Sequence, residues 1–146
     1  MAQIKKVTVE SKLSDKFTVE SDIRGHKIFV DQPVQAGGDD KGPTPLEYLF
    51  VSLGGCIGTI AKITANQKRL KIDNLKIRID GELDLDILMG KSKDNRAGFS
   101  KIVAEVSFDS DMTIEEKKNF IKEVDERCPI SDNIMNLTAV EFVVKE

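Results

Sequence analysis

At 146 residues the chain has the size of one domain, and about 68–70% of its unfolded surface can be buried without a disulfide or a structural metal. Lysine and arginine (22) nearly balance aspartate and glutamate (25) at a net charge of −3, with both signs interspersed. That pattern argues against a nucleic-acid footprint or a polybasic membrane patch.

The first residues, MAQIKKVTVESK, lack the apolar stretch of a signal peptide, and the all-apolar run 49–57 is too short to span a bilayer. A soluble, cytoplasmic protein with a small-molecule partner or a second copy of itself is expected. Segments 3–10, 16–21 and 26–31 are short, rich in Val, Ile, Phe and Thr, and separated by Ser-Asp and Arg-Gly turns, which predicts an antiparallel meander. Residues 32–42 read as a loop. Its glycines do not make a phosphate cradle, because Asp39 and Asp40 repel anions and no GxxxxGK[ST] spacing is present.

The run from Gly42 to Leu70 carries the strongest helix signals. Thr44 is an N-cap type, Pro45 suits the first helical position, and Glu47 completes a T-x-x-E capping box. Apolar residues then occupy nearly every face, as in a core helix. Gly54 and Gly55 interrupt it, each costing about 1 kcal/mol against Ala. Close approach of another backbone beside Cys56 is the expected compensation. Residues 73–82 alternate as a half-buried strand, 84–98 form an exposed connection whose Leu85, Ile87, Leu88 and Met89 also suit a partner subunit, and 99–108 resume strand character. A second helix over 111–127 has its own capping box, Thr113 and Glu116, and a stripe of Ile114, Phe120, Ile121 and Val124. The same spacing puts Cys128 on the buried side. Pro129 stops that helix and starts a short one through Met135, and 138–144 is predicted to close the chain as a strand. No composition break divides 1–146 into more than one domain.

The only histidine, His26, lies in a strand-like segment and leaves no Ser-His-Asp triad. Two cysteines and one histidine fall short of a zinc site. Cys56 and Cys128 remain, either as buried core cysteines or as a reactive pair. For the second, the Cys-Pro junction is notable, since a thiol there can meet the first N–H groups of the following helix.

G-P-T-P-L-E-x-L over Gly42 to Leu49, Cys56 nine positions after Glu47, and C-P-x-S over Cys128 to Ser131 together resemble the OsmC/Ohr family. The resemblance covers essentially the whole chain. It implies an α+β fold of antiparallel sheets around a long central Cys-bearing helix, in an intertwined homodimer. It also implies a thiol-dependent peroxidase acting on organic hydroperoxides, with Cys56 the peroxidatic thiolate and Cys128 the resolving thiol. No metal, flavin or haem is called for; the reductant is an external dithiol.

A thiolate at Cys56 needs a cation, because eleven residues past Pro45 is roughly 16 Å along the axis, beyond the reach of the helix dipole. In the peroxidase branches an Arg held by a helix Glu supplies it. Aligned here, that Glu position is Leu46, with Glu47 displaced by one residue, and the loop 32–42 has no Arg. Glu47 is thus either a cap or a displaced partner, and Arg24 or Lys41 is the candidate cation. These departures mark a divergent subgroup, for which a non-catalytic dimer holding a small hydrophobic ligand and a thiol redox sensor are the alternatives.

Overall fold

A computed structural model describes all residues 1–146. The backbone forms two compact units, Met1–Val51 and Ser52–Glu146. In the first, β1 (Glu10–Leu13), β2 (Val19–Ile23) and β3 (His26–Val30) form an antiparallel meander in that order. The Arg24-Gly25 turn between β2 and β3 has positive φ at both residues (53° and 85°), the arrangement that matches strand twist in a two-residue hairpin. β1 begins later than the sequence suggests, and residues 3–9 lie outside it. Their Ile and Val side chains face solvent, without a strand beside them.

The loop after β3 is organised around Asp31, which is fully buried. Its carboxylate accepts hydrogen bonds from the Thr18 hydroxyl (2.8 Å) and from the amides of Gln32 (2.7 Å) and Lys41 (3.1 Å). Burial pushes the Asp31 pKa up, but the amides of Lys41 and Gln32, the Thr18 hydroxyl and the Asp39 amide outweigh it and hold it below the usual carboxylate value. Gly42 ends the loop where only glycine fits, because a Cβ there would meet the Phe29 carbonyl oxygen at 2.0 Å.

α1 (Pro45–Lys68) starts in the first unit and continues through the second. Its predicted capping box is present: the Thr44 amide donates to Glu47 (2.8 Å) and the Glu47 amide to the Thr44 hydroxyl (3.2 Å). The Tyr48 hydroxyl ties its first turn to the Phe29 carbonyl at 2.7 Å. As a whole, α1 is long and apolar enough to cross a membrane, although the run 49–57 is not. Its stripe of Leu53, Ile57, Ala61, Thr64 and Ala65 is buried within the protein. The expectation that every face is buried is corrected, since Val51 is 62% and Ile63 39% exposed.

In the second unit β4 (Asp73–Glu82) pairs antiparallel with β5 (Lys101–Asp109), and the connection contains one turn of helix, α2 (Leu85–Leu88), capped by Asp84. The alternation of β4 turns Leu75, Ile77 and Ile79 toward the core and Lys76, Arg78 and Asp80 outward. α3 (Ile114–Glu126) has the predicted capping box and buries Phe120 and Val124, with the Phe120 ring 5.7 Å from that of Phe108. Ile114, assigned to its apolar stripe, is instead 66% exposed at the first turn. α4 (Pro129–Met135) follows directly.

The predicted strand 138–144 does not form. Residues 137–146 have no regular structure, and Phe142 is 89% exposed. A strand needs a hydrogen-bonded neighbour, and no strand of this chain lies alongside this segment.

Candidate active site

The second unit brings the two cysteines together. Cys56 flanks the buried stripe of α1, half-exposed, one position before Ile57. Cys128 is fully buried at the junction of α3 and α4. The residue before a proline is disfavoured in helical backbone, and Cys128 before Pro129 is accordingly extended (φ −86°, ψ 108°). That ends α3 and makes Cys128 the N-cap of α4, with its sulfur accepting the Ser131 amide at 3.4 Å. The Ser131 hydroxyl, in turn, donates to Asp125 and closes the turn.

The Cys56 and Cys128 thiols lie within hydrogen-bonding reach of each other, and the Ile130 amide points at Cys56. Two successive amides of one helix start, Ile130 and Ser131, thus face one sulfur each. Burial, followed by the neighbouring Cys128 thiol, raises the Cys56 pKa above that of an ordinary thiol, and the Ile130 amide only partly opposes them. None of these influences is a cation. Chemically, the arrangement suits two thiols passing to a disulfide.

Of the other candidates, Glu47 is engaged in the α1 capping box, and the Thr44 amide and hydroxyl lower its pKa. Arg24 is an exposed residue of the β2–β3 turn, and Lys41 gives its amide to Asp31. Gly54 has the Ile79 side chain over it, where a Cβ would sit 3.6 Å from the methyl, an ordinary contact. Gly55 and Gly58 face open space. The expected close approach of a backbone near Cys56 is therefore not made within this chain. Two features escaped the sequence: the Ile130 amide at Cys56 and the Arg127–Thr64 hydrogen bond described below. The first was foreshadowed by the Cys-Pro junction, whereas nothing in the sequence pairs Arg127 with Thr64.

Residues 38–143 match the family model OsmC, described as OsmC-like protein. The chain belongs to the OsmC family. Among solved structures, an OsmC-like protein from Mycoplasma pneumoniae superposes with a TM-score of 0.80 at 23% identity, over 92% of this chain and 91% of that one. An organic hydroperoxide resistance protein OsmC from Legionella pneumophila gives 0.64 at 15% identity, covering 91% of each chain. One from Elizabethkingia anophelis, with thiocyanate bound, gives 0.65 at 17% identity over 90% and 89%. At these identities the likeness is one of fold: an OsmC-like α+β arrangement of antiparallel sheets and a central helix. No curated protein matches the chain in sequence.

Proposed function

We propose that this OsmC-family protein is a cytoplasmic homodimer that reduces organic hydroperoxides with its two thiols. The observation that carries the proposal is the placement of Cys128 within hydrogen-bonding reach of Cys56, from sequence positions roughly 70 residues apart. Family membership and the fold shared with two organic hydroperoxide resistance proteins support it.

The Cys56 thiolate attacks the peroxide, the O–O bond breaks, and the alkoxide leaves as the alcohol after taking a proton. Cys56 becomes a sulfenic acid. The Cys128 sulfur then attacks the Cys56 sulfur, forming the S–S bond and breaking the S–O bond, and the hydroxide leaves with the Cys128 proton as water. An external dithiol reduces the disulfide by exchange, returning both thiols and leaving as its own disulfide. The half-exposure of Cys56 beside apolar Ile60 favours alkyl peroxides over hydrogen peroxide. Exposed Val51 and Ile63 on α1, the open space at Gly55 and the solvent-facing 137–144 segment support the homodimer, because a second copy would cover apolar surface of this kind.

Stopped-flow consumption of cumene hydroperoxide with dithiothreitol tests the cycle. Cys56→Ser and Cys128→Ser should both lose turnover, and dimedone should trap a sulfenic acid in the second. Wild-type rates no faster than those of Cys56→Ser would end the enzyme reading. The raised pKa of Cys56, which disfavours the thiolate, favours one alternative, a non-catalytic dimer in which Cys56 lines the site of a small hydrophobic ligand and neither thiol is lost to one equivalent of peroxide.

A further inference from the structure

Two side-chain ties join α3 to α1. Lys68 pairs with Glu123 at 2.6 Å, and the Arg127 guanidinium donates to the Thr64 hydroxyl at 2.9 Å. Thr64 and Lys68 are one turn apart on α1, as Glu123 and the C-cap Arg127 are at the end of α3, and the order is reversed between them. The two helices therefore run antiparallel past each other in a fixed register. The Cys56–Cys128 contact continues the same series toward the start of α1.

Arg127 holds a particular place in that series. It is the C-cap of α3, immediately before Cys128, and is itself exposed, yet its guanidinium reaches a hydroxyl with no solvent exposure. Thr64 stands eight residues past Cys56 on the buried side of α1, about 12 Å along the axis. Adjacent residues 127 and 128 are thus attached to two separated points on one rigid helix. The guanidinium fork fixes direction as well as length, which a flexible ammonium does not. Its charge is not among the influences on Cys56, which are burial, Cys128 and the Ile130 amide. Arg127 acts through geometry.

We infer that Arg127 is a positioning residue for the thiol pair: its bond to Thr64 holds Cys128 against Cys56 and sets how strongly the disulfide is favoured and how fast a Cys56 sulfenic acid is resolved. The rate part rests on the peroxidase cycle above; the equilibrium part needs only the two thiols. In the resolving step the Cys56 S–O bond breaks, the S–S bond forms, and water leaves with the Cys128 proton, the oxidising equivalent having come from the hydroperoxide.

The test is the disulfide equilibrium of the full-length protein against reduced and oxidised dithiothreitol, read by thiol counting. Arg127→Met and Thr64→Val should each lower the equilibrium constant about tenfold, raising the potential by about 30 mV. The double variant should go no further than either single one, and Arg127→Lys should recover part of the loss. After one equivalent of cumene hydroperoxide, sulfenic acid formation should keep its wild-type rate while its decay slows. Lys68→Met, which breaks the more distant tie, should lower thermal stability but leave the constant within about twofold. Unchanged constants in Arg127→Met and Thr64→Val overturn the inference, as do additive effects in the double variant or an equal effect from Lys68→Met. A protein that turns over no peroxide but shows the predicted shifts sinks the peroxidase reading and leaves the positioning role standing.

Discussion

Replacing the α1 glycines one at a time measures what lies against the helix near Cys56. In a helix interior, Gly→Ala is worth about 0.8–1.0 kcal/mol. At Gly54 the new methyl meets only the Ile79 side chain, at an ordinary 3.6 Å, so Gly54→Ala should realise that gain. At Gly55 the space is open within the chain, and the single chain alone promises the same gain. The proposed homodimer reverses the sign. A second copy seated there in two-fold symmetry meets the methyl twice, and each overpacked contact costs about 1–3 kcal/mol, more than the propensity term returns. Urea denaturation at several protein concentrations, with sedimentation velocity for the mass, separates the cases. Gly54→Ala should shift the midpoint upward without changing the mass. Gly55→Ala should lower it and weaken association. If Gly55→Ala stabilises as much as Gly54→Ala and the mass is unchanged, no second copy approaches that glycine and the explanation for it fails.

Phe120→Ala removes a buried ring packed at a tilt against Phe108 and should cost about 3–5 kcal/mol in urea titrations; a loss under 1 kcal/mol would mean that the two rings do not anchor the core. Asp31→Asn turns an NH2 group toward donors that now face oxygen. Because the Asp31 pKa is lowered on folding, its contribution is present above the unfolded carboxylate pKa and is lost as pH falls through the folded value. The variant should melt earlier at neutral pH and show a flatter acid limb by circular dichroism, and superimposable profiles would contradict the hub. For Cys56 the sign is opposite. Its raised pKa stabilises the fold below the unfolded thiol pKa, and that contribution is lost as pH rises through the folded value. Iodoacetamide labelling of Cys56 should therefore set in at higher pH than labelling of free cysteine, and onset below it would show that a cation from outside the chain lowers the pKa.

What was legible in the sequence depended on signals local to a few residues. Strand β4 matches the alternation at 73–82 residue for residue, and both capping boxes formed as Thr-x-x-Glu spacing requires. Pro129 alone was enough to end α3 and to orient Cys128. Features that depend on distant partners were not legible. β1, with the polar sequence ESKL, is a strand because β2 lies beside it, while the more strand-like 138–144 has no neighbour and is irregular. Asp31 sits before a polar loop and gives no sign that it is the loop's buried centre. Arg127 and Thr64 are 63 positions apart, beyond any periodicity.

The long reach between the two cysteines has a consequence for heat as well as for redox chemistry. A Cys56–Cys128 disulfide would close a loop of roughly 70 residues, which the chain-entropy model values at about 4.4 kcal/mol of lost freedom in the unfolded chain. An oxidised molecule would then outlast its reduced form under thermal challenge, so each reduction by a dithiol would also loosen the protein. Melting temperature would become a gauge of the thiol state, readable without any peroxide at all.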